Sequence, residues 1–239
     1  MPFSLDHTVF FGRTWEESTG MYGLSEEGMR GKRILDCPGG PDAMVIEGIN
    51  RGLDIVACDP QYSQTPEQLE ALGLKEISET MISFQKDPNV AADQKQADAY
   101  EKLKLAALSS FLEAFRGHPD RFITGSLPSL PFEDDTFDLS LSGHLLFVYS
   151  SLEQGGLMSH DELDLDFHIA AVRELVRVSR QVRIFPTWSV NKPPRRQAYV
   201  EPVMEAMAAE GHEVSLLPSQ WVEMEYKEFN DFVCITKAS

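Results

Sequence analysis

The stretch Arg33–Asp59, RILDCPGGPDAMVIEGINRGLDIVACD, constrains the chain more than any other. A short apolar run (Ile34, Leu35) closes on the acid Asp36, and a Pro38-Gly39-Gly40 turn follows. A helix-length segment then carries Met44, Val45, Ile46 and Ile49, with Gly52 where a helix would stop. The second apolar run, Leu53 to Cys58, ends in another acid, Asp59. Strand, glycine turn, helix, strand and acid make a βαβ unit, the layout of many nucleotide sites.

The residue types suit such a site for physical reasons. Glycines allow main-chain N–H groups near a helix start to approach a ligand with no Cβ in the way. An acid at the tip of the next strand can accept hydrogen bonds from both hydroxyls of a ribose. A buried βαβ unit with a turn glycine and no ligand is the plainer alternative.

The whole chain, 239 residues, suits one α/β domain with an inserted subdomain, and 42% apolar content is enough for a core. A formal charge of −17 argues against a nucleic-acid partner, which needs a basic footprint. The dense basic cluster is Lys192-Pro-Pro-Arg195-Arg196. No apolar run reaches membrane-spanning length. The start, MPFSLDHTVF, lacks the features of an export signal, so a cytoplasmic protein is expected. Cys37, Cys58 and Cys234 have no metal-ligand spacing and lie in or beside apolar runs, which predicts buried free thiols in a reducing compartment and no metal site.

Residues 1–32 precede the first strand and are placed to fold across the mouth of a ligand site. Within them Arg13 reads either as a partner for a ligand carboxylate or as half of a surface ion pair, and Ser25 reads as a helix cap. Thr65-Pro66 with Gln68 marks a helix start. Residues 61–120 read as a helical insertion, with Tyr100, Leu103, Leu108, Phe111, Leu112 and Phe115 expected near one face of Ala97–Arg116. A short strand at Arg121–Gly125, an acidic turn at Glu133-Asp134-Asp135 and a buried strand from Phe137 to Leu141 follow. Residues 150–160 read as a mobile loop. Further elements are a helix at Asp161–Ser179, a strand at Val182–Phe185, a helix at Tyr199–Glu210, and closing strands at Glu213–Leu217 and Phe232–Thr236. The alternation predicts an open, mostly parallel α/β sheet, helices on both faces, ending in an antiparallel hairpin.

ILDCPGG with its trailing CDP, the segment GSLPSLPFEDDTFDLSLSGHLL and the closing hairpin together resemble the class I S-adenosylmethionine-dependent methyltransferases. More narrowly, GRTWEESTGMYGLSEEGMRGKRILDCPGGP followed by DPQYS looks like a family of bacterial methyltransferase-like proteins whose substrates are unassigned. The resemblance implies a Rossmann-like seven-stranded sheet with a reversed final strand pair. It also implies an S-adenosylmethionine site at the ends of the first strands. Asp36 would then lie near the methionine part, Gly39 and Gly40 would admit the cofactor, and Asp59 would hold the ribose with Pro60 beside the adenine. Ser126 and Leu127 would border the adenine, and Ser142, Gly143 and His144 would face the reactive end. Two departures are visible. Pro38 and Asp42 replace the outer glycines of the usual motif, and Ser126 replaces the usual acid.

Methyl transfer from a sulfonium is an in-line displacement, so alignment and exclusion of water are much of the protein's task. A base is needed only when the acceptor arrives protonated. His144 is the candidate for it, its alternative being a histidine bonded to backbone at a strand end. His160 and His168 read as surface or packing residues, and Tyr149 either lines the pocket or packs beside it. The expected function is methylation of a small-molecule or protein acceptor; the alternative is a catalytically silent protein of the same fold that binds a ligand or partner. A dinucleotide-binding dehydrogenase is less attractive, since no G-x-G-x-x-G is present.

Overall fold

The computed structural model describes residues 4–86, 94–189, 195–222 and 230–238. Seven strands form one sheet: β1 (Arg33–Asp36), β2 (Asp54–Cys58), β3 (Phe122–Ile123), β4 (Leu139–Gly143), β5 (Gln181–Phe185), β6 (Glu213–Pro218) and β7 (Asp231–Thr236). Their order is β3-β2-β1-β4-β5-β7-β6. Strands β1 to β5 run parallel, and β7 pairs antiparallel with both β5 and β6. This is a Rossmann-like fold, and it matches the arrangement expected from the strand and helix alternation.

Among the described residues seven α-helices complete the frame: α1 (Trp15–Met21), α2 (Glu26–Met29), α3 (Met44–Asn50), α4 (Pro66–Lys86), α5 (Gln94–Gly117), α6 (Leu165–Val178) and α7 (Val200–Ala209). Among the described residues no helix is long and apolar enough to cross a membrane. Local chemistry sets the helix ends. Thr14 and Glu17 form a reciprocal capping box on α1. Thr65 and Gln68 bond each other's N–H at the start of α4. Asp164, rather than Asp161, caps α6 by accepting the Phe167 N–H at 2.9 Å, so that helix begins later than its apolar pattern suggested.

The sheet separates two apolar layers. Ile34, Ile55, Ala57, Leu139 and Leu141 face α3, α5 and the N-terminal segment. Leu35, Val56, Val182 and Ile184 face α6 and α7. Period-2 alternation thus assigns Asp36 and Asp59 to the first layer and Ser142 to the second.

Residues 61–120 are largely helical, and α5 packs on the first layer through Leu108, Phe111 and Leu112. Leu103, expected on that face, is 45% exposed, while Lys104 next to it is fully buried. The helix is rotated to bring the Lys104 ammonium 2.6 Å from Glu17 of α1. A charge partner, invisible to apolar periodicity, sets the register.

Residues 4–13 form a strap along the carboxyl edge of the sheet. Leu5 bonds Leu157 and Ser159, the Val9 N–H donates to the Tyr149 hydroxyl at 3.0 Å, and Phe10 meets Phe111 edge-on. The 150–160 loop expected to be mobile is tied to this strap and to itself, through Met158 pairing with Leu5 and Ser151. His7 anchors the strap's outer end beside Asp6 and Glu76, whose carboxylates raise its pKa. A raised histidine contributes its grip at low pH and loses it as pH rises through the folded-state value. Amide exchange at Leu5 and Val9 should therefore be slower at pH 5.5 than at pH 8 after correction for intrinsic rates, and His7→Ala should remove the difference.

Candidate functional site

Pleat and turn together build the site at the carboxyl ends of β1, β2 and β4. Gly39 lies against the sheet, where an added Cβ would stand 2.5 Å from the Tyr62 hydroxyl and 2.8 Å from the Ala57 Cβ. Gly40 has φ +47°, and nothing lies within 4 Å of the place its Cβ would take. The first must be small to fit, and the second turns the chain left-handed beside open space.

Asp59 faces this turn. Its Oδ2 accepts the Gly40 N–H at 3.0 Å and its Oδ1 accepts the Gln61 N–H at 2.9 Å. The Gly40 N–H, expected to meet a ligand, is thus spent on orienting the carboxylate. Each Asp59 oxygen keeps a second lone pair for an incoming donor. Tyr62 finishes the turn by donating its hydroxyl to the Gly40 carbonyl at 2.6 Å. Its ring is held among Phe111, Phe115 and Phe122.

Three carboxylates share this corner. Burial pushes Asp59 up to about 6, against the two N–H bonds that favour its ionised form. Burial also holds Asp36 well above the usual carboxylate range, helped by Asp42 and Asp59. Asp36 is 3% exposed, and its Oδ2 has no hydrogen-bond partner. Asp42, in the position of a motif glycine, is pushed up to about 7 by desolvation, opposed by Arg13 and Lys104. An acid raised in the folded state stabilises below its unfolded pKa and loses that contribution as pH rises through the folded value. Asp36→Asn should therefore melt higher than the parent at pH 8, by about 2–4 °C for each kcal/mol recovered, and the two should converge near pH 4. Equal melting at pH 8 would show that Asp36 is not a strained acid.

Arg13 is buried, not on the surface. It is 8% exposed, its N–H donates to Asp42 Oδ1 at 2.5 Å, and its carbonyl accepts the Ala43 N–H at 3.0 Å. Pro60 is exposed and opens a short 3₁₀ turn (Pro60–Ser63) capped by Asp59. The Asp59 N–H bonds the Ile123 carbonyl at 3.1 Å, which brings the chain leading to Ser126 alongside. Ser126 is exposed, whereas Leu127 is buried in the second apolar layer.

The Cys37 N–H bonds the Leu141 carbonyl at 2.9 Å, which sets Ser142, Gly143 and His144 one strand over from Asp36. Ser142 is fully buried and its Oγ has no partner, but alternation puts it on the sheet face opposite Asp36. His144 has φ +60°, donates its backbone N–H to Phe185 at 2.8 Å and sets its ring edge-on to the Phe185 ring. His168 is a packing residue, accepting the Phe147 N–H and bonding the Asp164 carbonyl. His160 lies beside the Asp6 carbonyl, and Asp134 and Asp135 of the acidic turn pair with Arg177 and Lys237.

Sequence reasoning gave no role to Tyr22, Tyr62 or Lys104, and took Asp42 only as a missing glycine. Tyr22 is 2% exposed, and its hydroxyl stands 2.5 Å from where a Cβ on Gly143 would lie. Each of these residues acts across elements distant in the chain; the only local signal was the tyrosine in DPQYS. The three cysteines are buried free thiols, and among the described residues no His, Cys, Asp and Glu cluster could hold a metal. Of the basic cluster, Arg196 pairs with Asp231, while Lys192, Pro193 and Pro194 lie outside the described residues.

No protein-family model matches the chain. It is 29% identical over 186 residues to the uncharacterized protein MJ0045 of the archaeon Methanocaldococcus jannaschii, covering 77% of this chain and 79% of that one. Solved structures that align include S-adenosylmethionine-dependent methyltransferases from Thermotoga maritima (10% identity, 93% and 88% of the two chains, TM-score 0.38) and Aquifex aeolicus (12%, 92% and 89%, 0.40). This sequence relative is archaeal where the resemblance pointed to bacteria.

Proposed function

We propose that this protein is an S-adenosylmethionine-dependent methyltransferase of the cytoplasm, acting on a small molecule or a protein side chain rather than nucleic acid. The observation that carries the reading is Asp59, a buried carboxylate held by two N–H groups beside an unobstructed glycine turn at the ends of β1 and β2. The residues fit the cofactor. Spare acceptor capacity on Asp59 suits two ribose hydroxyls, with Pro60, Ser126 and Leu127 bordering the adenine. The unpartnered Asp36 Oδ2 suits a donor on the methionine part. Bound there, S-adenosylmethionine would supply a methyl group already activated for displacement.

The chain's own part is to align and to shield. Gly143 and His144 sit at the end of β4, where an acceptor would meet the reactive end, and His144 takes the proton of an acceptor that arrives protonated. The strap, with Arg13 on Asp42, keeps water from the corner. Calorimetry with S-adenosylhomocysteine tests the reading: binding at micromolar ligand is expected, and a folded protein that shows none at high micromolar concentration sinks it.

The second reading is a silent protein of this fold. It is favoured by Asp42, which occupies a motif glycine's place and ties down the strap. Ligand binding without methyl transfer across a broad panel would select it; turnover lost in His144→Ala with binding intact would reject it.

A further inference from the structure

We infer that Asp36, Asp42 and the Tyr22 hydroxyl form a cation-reading wall, which makes the site prefer the sulfonium cofactor to the neutral thioether it becomes and expels protons as positive charge enters. The inference rests on the cofactor reading above and deepens it.

Two polar groups on buried residues lie at this corner, one of them unpartnered. One is Asp36 Oδ2, on a residue 3% exposed. The other is the Tyr22 hydroxyl, on a residue 2% exposed. It lies over Gly143, and burial, helped by Asp36 and Asp42, holds it in its protonated form. A hydroxyl so placed leaves its oxygen lone pairs, as well as the carboxylates, available to positive charge.

The charges around the wall do not cancel. Asp36 faces the corner from β1, with Cys37 next in the chain on the opposite face of the sheet, and Asp42 faces it from the glycine turn. Cys58 ends β2, with Asp59 and Tyr62 just beyond it. Against these carboxylates stand, among the described residues, the cations Lys104 and Arg13. Lys104 of α5 is committed to Glu17 of α1 at 2.6 Å. Arg13 acts on Asp42 from the strap. Three carboxylates desolvated this closely resist full ionisation, so protons remain on them near neutrality. A ligand cation reverses that balance: the carboxylic O–H bond breaks, the proton goes to buffer, and the carboxylate stays to face the new charge. The ammonium and carboxylate of the methionine part are common to both cofactor forms and cancel in the comparison. Only the sulfur differs in charge.

The linkage has a definite sign. Each proton expelled makes cation affinity rise by up to about tenfold per pH unit while the free site is protonated. The thioether, which brings the ammonium alone, gains less from the same change. The experiment is calorimetry on the full chain at pH 6, 7 and 8, in two buffers of different ionisation enthalpy. The ligands are S-adenosylmethionine, the analogue carrying an ammonium-bearing carbon in place of the sulfonium, and S-adenosylhomocysteine. Both cations should release protons near pH 7 and tighten roughly three- to tenfold per unit, while the thioether, which brings the ammonium but no charge on sulfur, releases fewer and tightens less. Asp36→Asn and Asp42→Asn should each reduce the release and narrow the preference. Equal proton counts and a pH-independent ratio between cations and thioether overturn the inference and leave the cofactor reading standing. If none of the three ligands binds, the cofactor reading fails and takes this one with it.

Discussion

Exchange of Lys104 for methionine should cost the folded protein about 3–5 kcal/mol, the largest stability effect expected of a single polar substitution here. Lys104 is fully buried, its ammonium lies 2.6 Å from Glu17 Oε1, and it sits 4.8 Å from the Tyr100 ring and 5.4 Å from that of Phe11. Methionine fills the volume but leaves the Glu17 carboxylate buried without its counter-charge. Glu17 cannot turn away, because its other oxygen accepts the Thr14 N–H at 2.8 Å in the capping box of α1. Denaturant unfolding should show the full loss, and melting should drop by roughly 10 °C. Pairing Lys104→Met with Glu17→Gln removes the orphaned charge and keeps a capping acceptor, so most of the loss should return. A double variant as unstable as the single would mean that Lys104 matters for its packing rather than its charge.

Asp59→Ala should weaken S-adenosylhomocysteine binding by about tenfold to a few hundredfold, since hydrogen bonds to an ionised acceptor are worth about 1.5–3 kcal/mol each. Two effects combine. The ribose loses its acceptor, and the Gly40 and Gln61 N–H groups lose the carboxylate that fixes the turn. Asp59→Asn separates them: its amide oxygen can still cap one N–H, so the turn should hold better than in the alanine variant while the charge is gone. Calorimetry gives the affinity, and a melting curve beside it reports the turn. Unchanged affinity in a folded Asp59→Ala protein would take this residue out of the site.

The parts of the molecule that repeat along the chain could be read from the chain. Apolar runs of alternating character gave the strands, and caps such as Thr65 and Ser25 marked helix starts. The glycine turn and Asp59 were legible because the need for a missing Cβ and a strand-end acid is written in adjacent residues. Leu103 was misplaced because periodicity counts apolar positions, and the register of α5 is decided by a charge reaching Glu17, 87 residues away. Asp42 was seen as an absent glycine, since nothing near it foretells the Arg13 N–H. Tyr22 was passed over for the same reason: its role exists only where the N-terminal segment meets the ends of β1 and β4.

The aromatic cluster beneath the turn bears on how this protein could be shortened. Phe111 and Phe115 of α5 wall in the Tyr62 ring from the side opposite the sheet, and the Tyr62 hydroxyl in turn grips the Gly40 carbonyl. The α4–α5 hairpin is therefore a buttress and no appendage to an otherwise complete scaffold. Trimming it back past Phe111 would not yield a minimal domain; it would let the keystone tyrosine swing loose and the glycine arch above it sag.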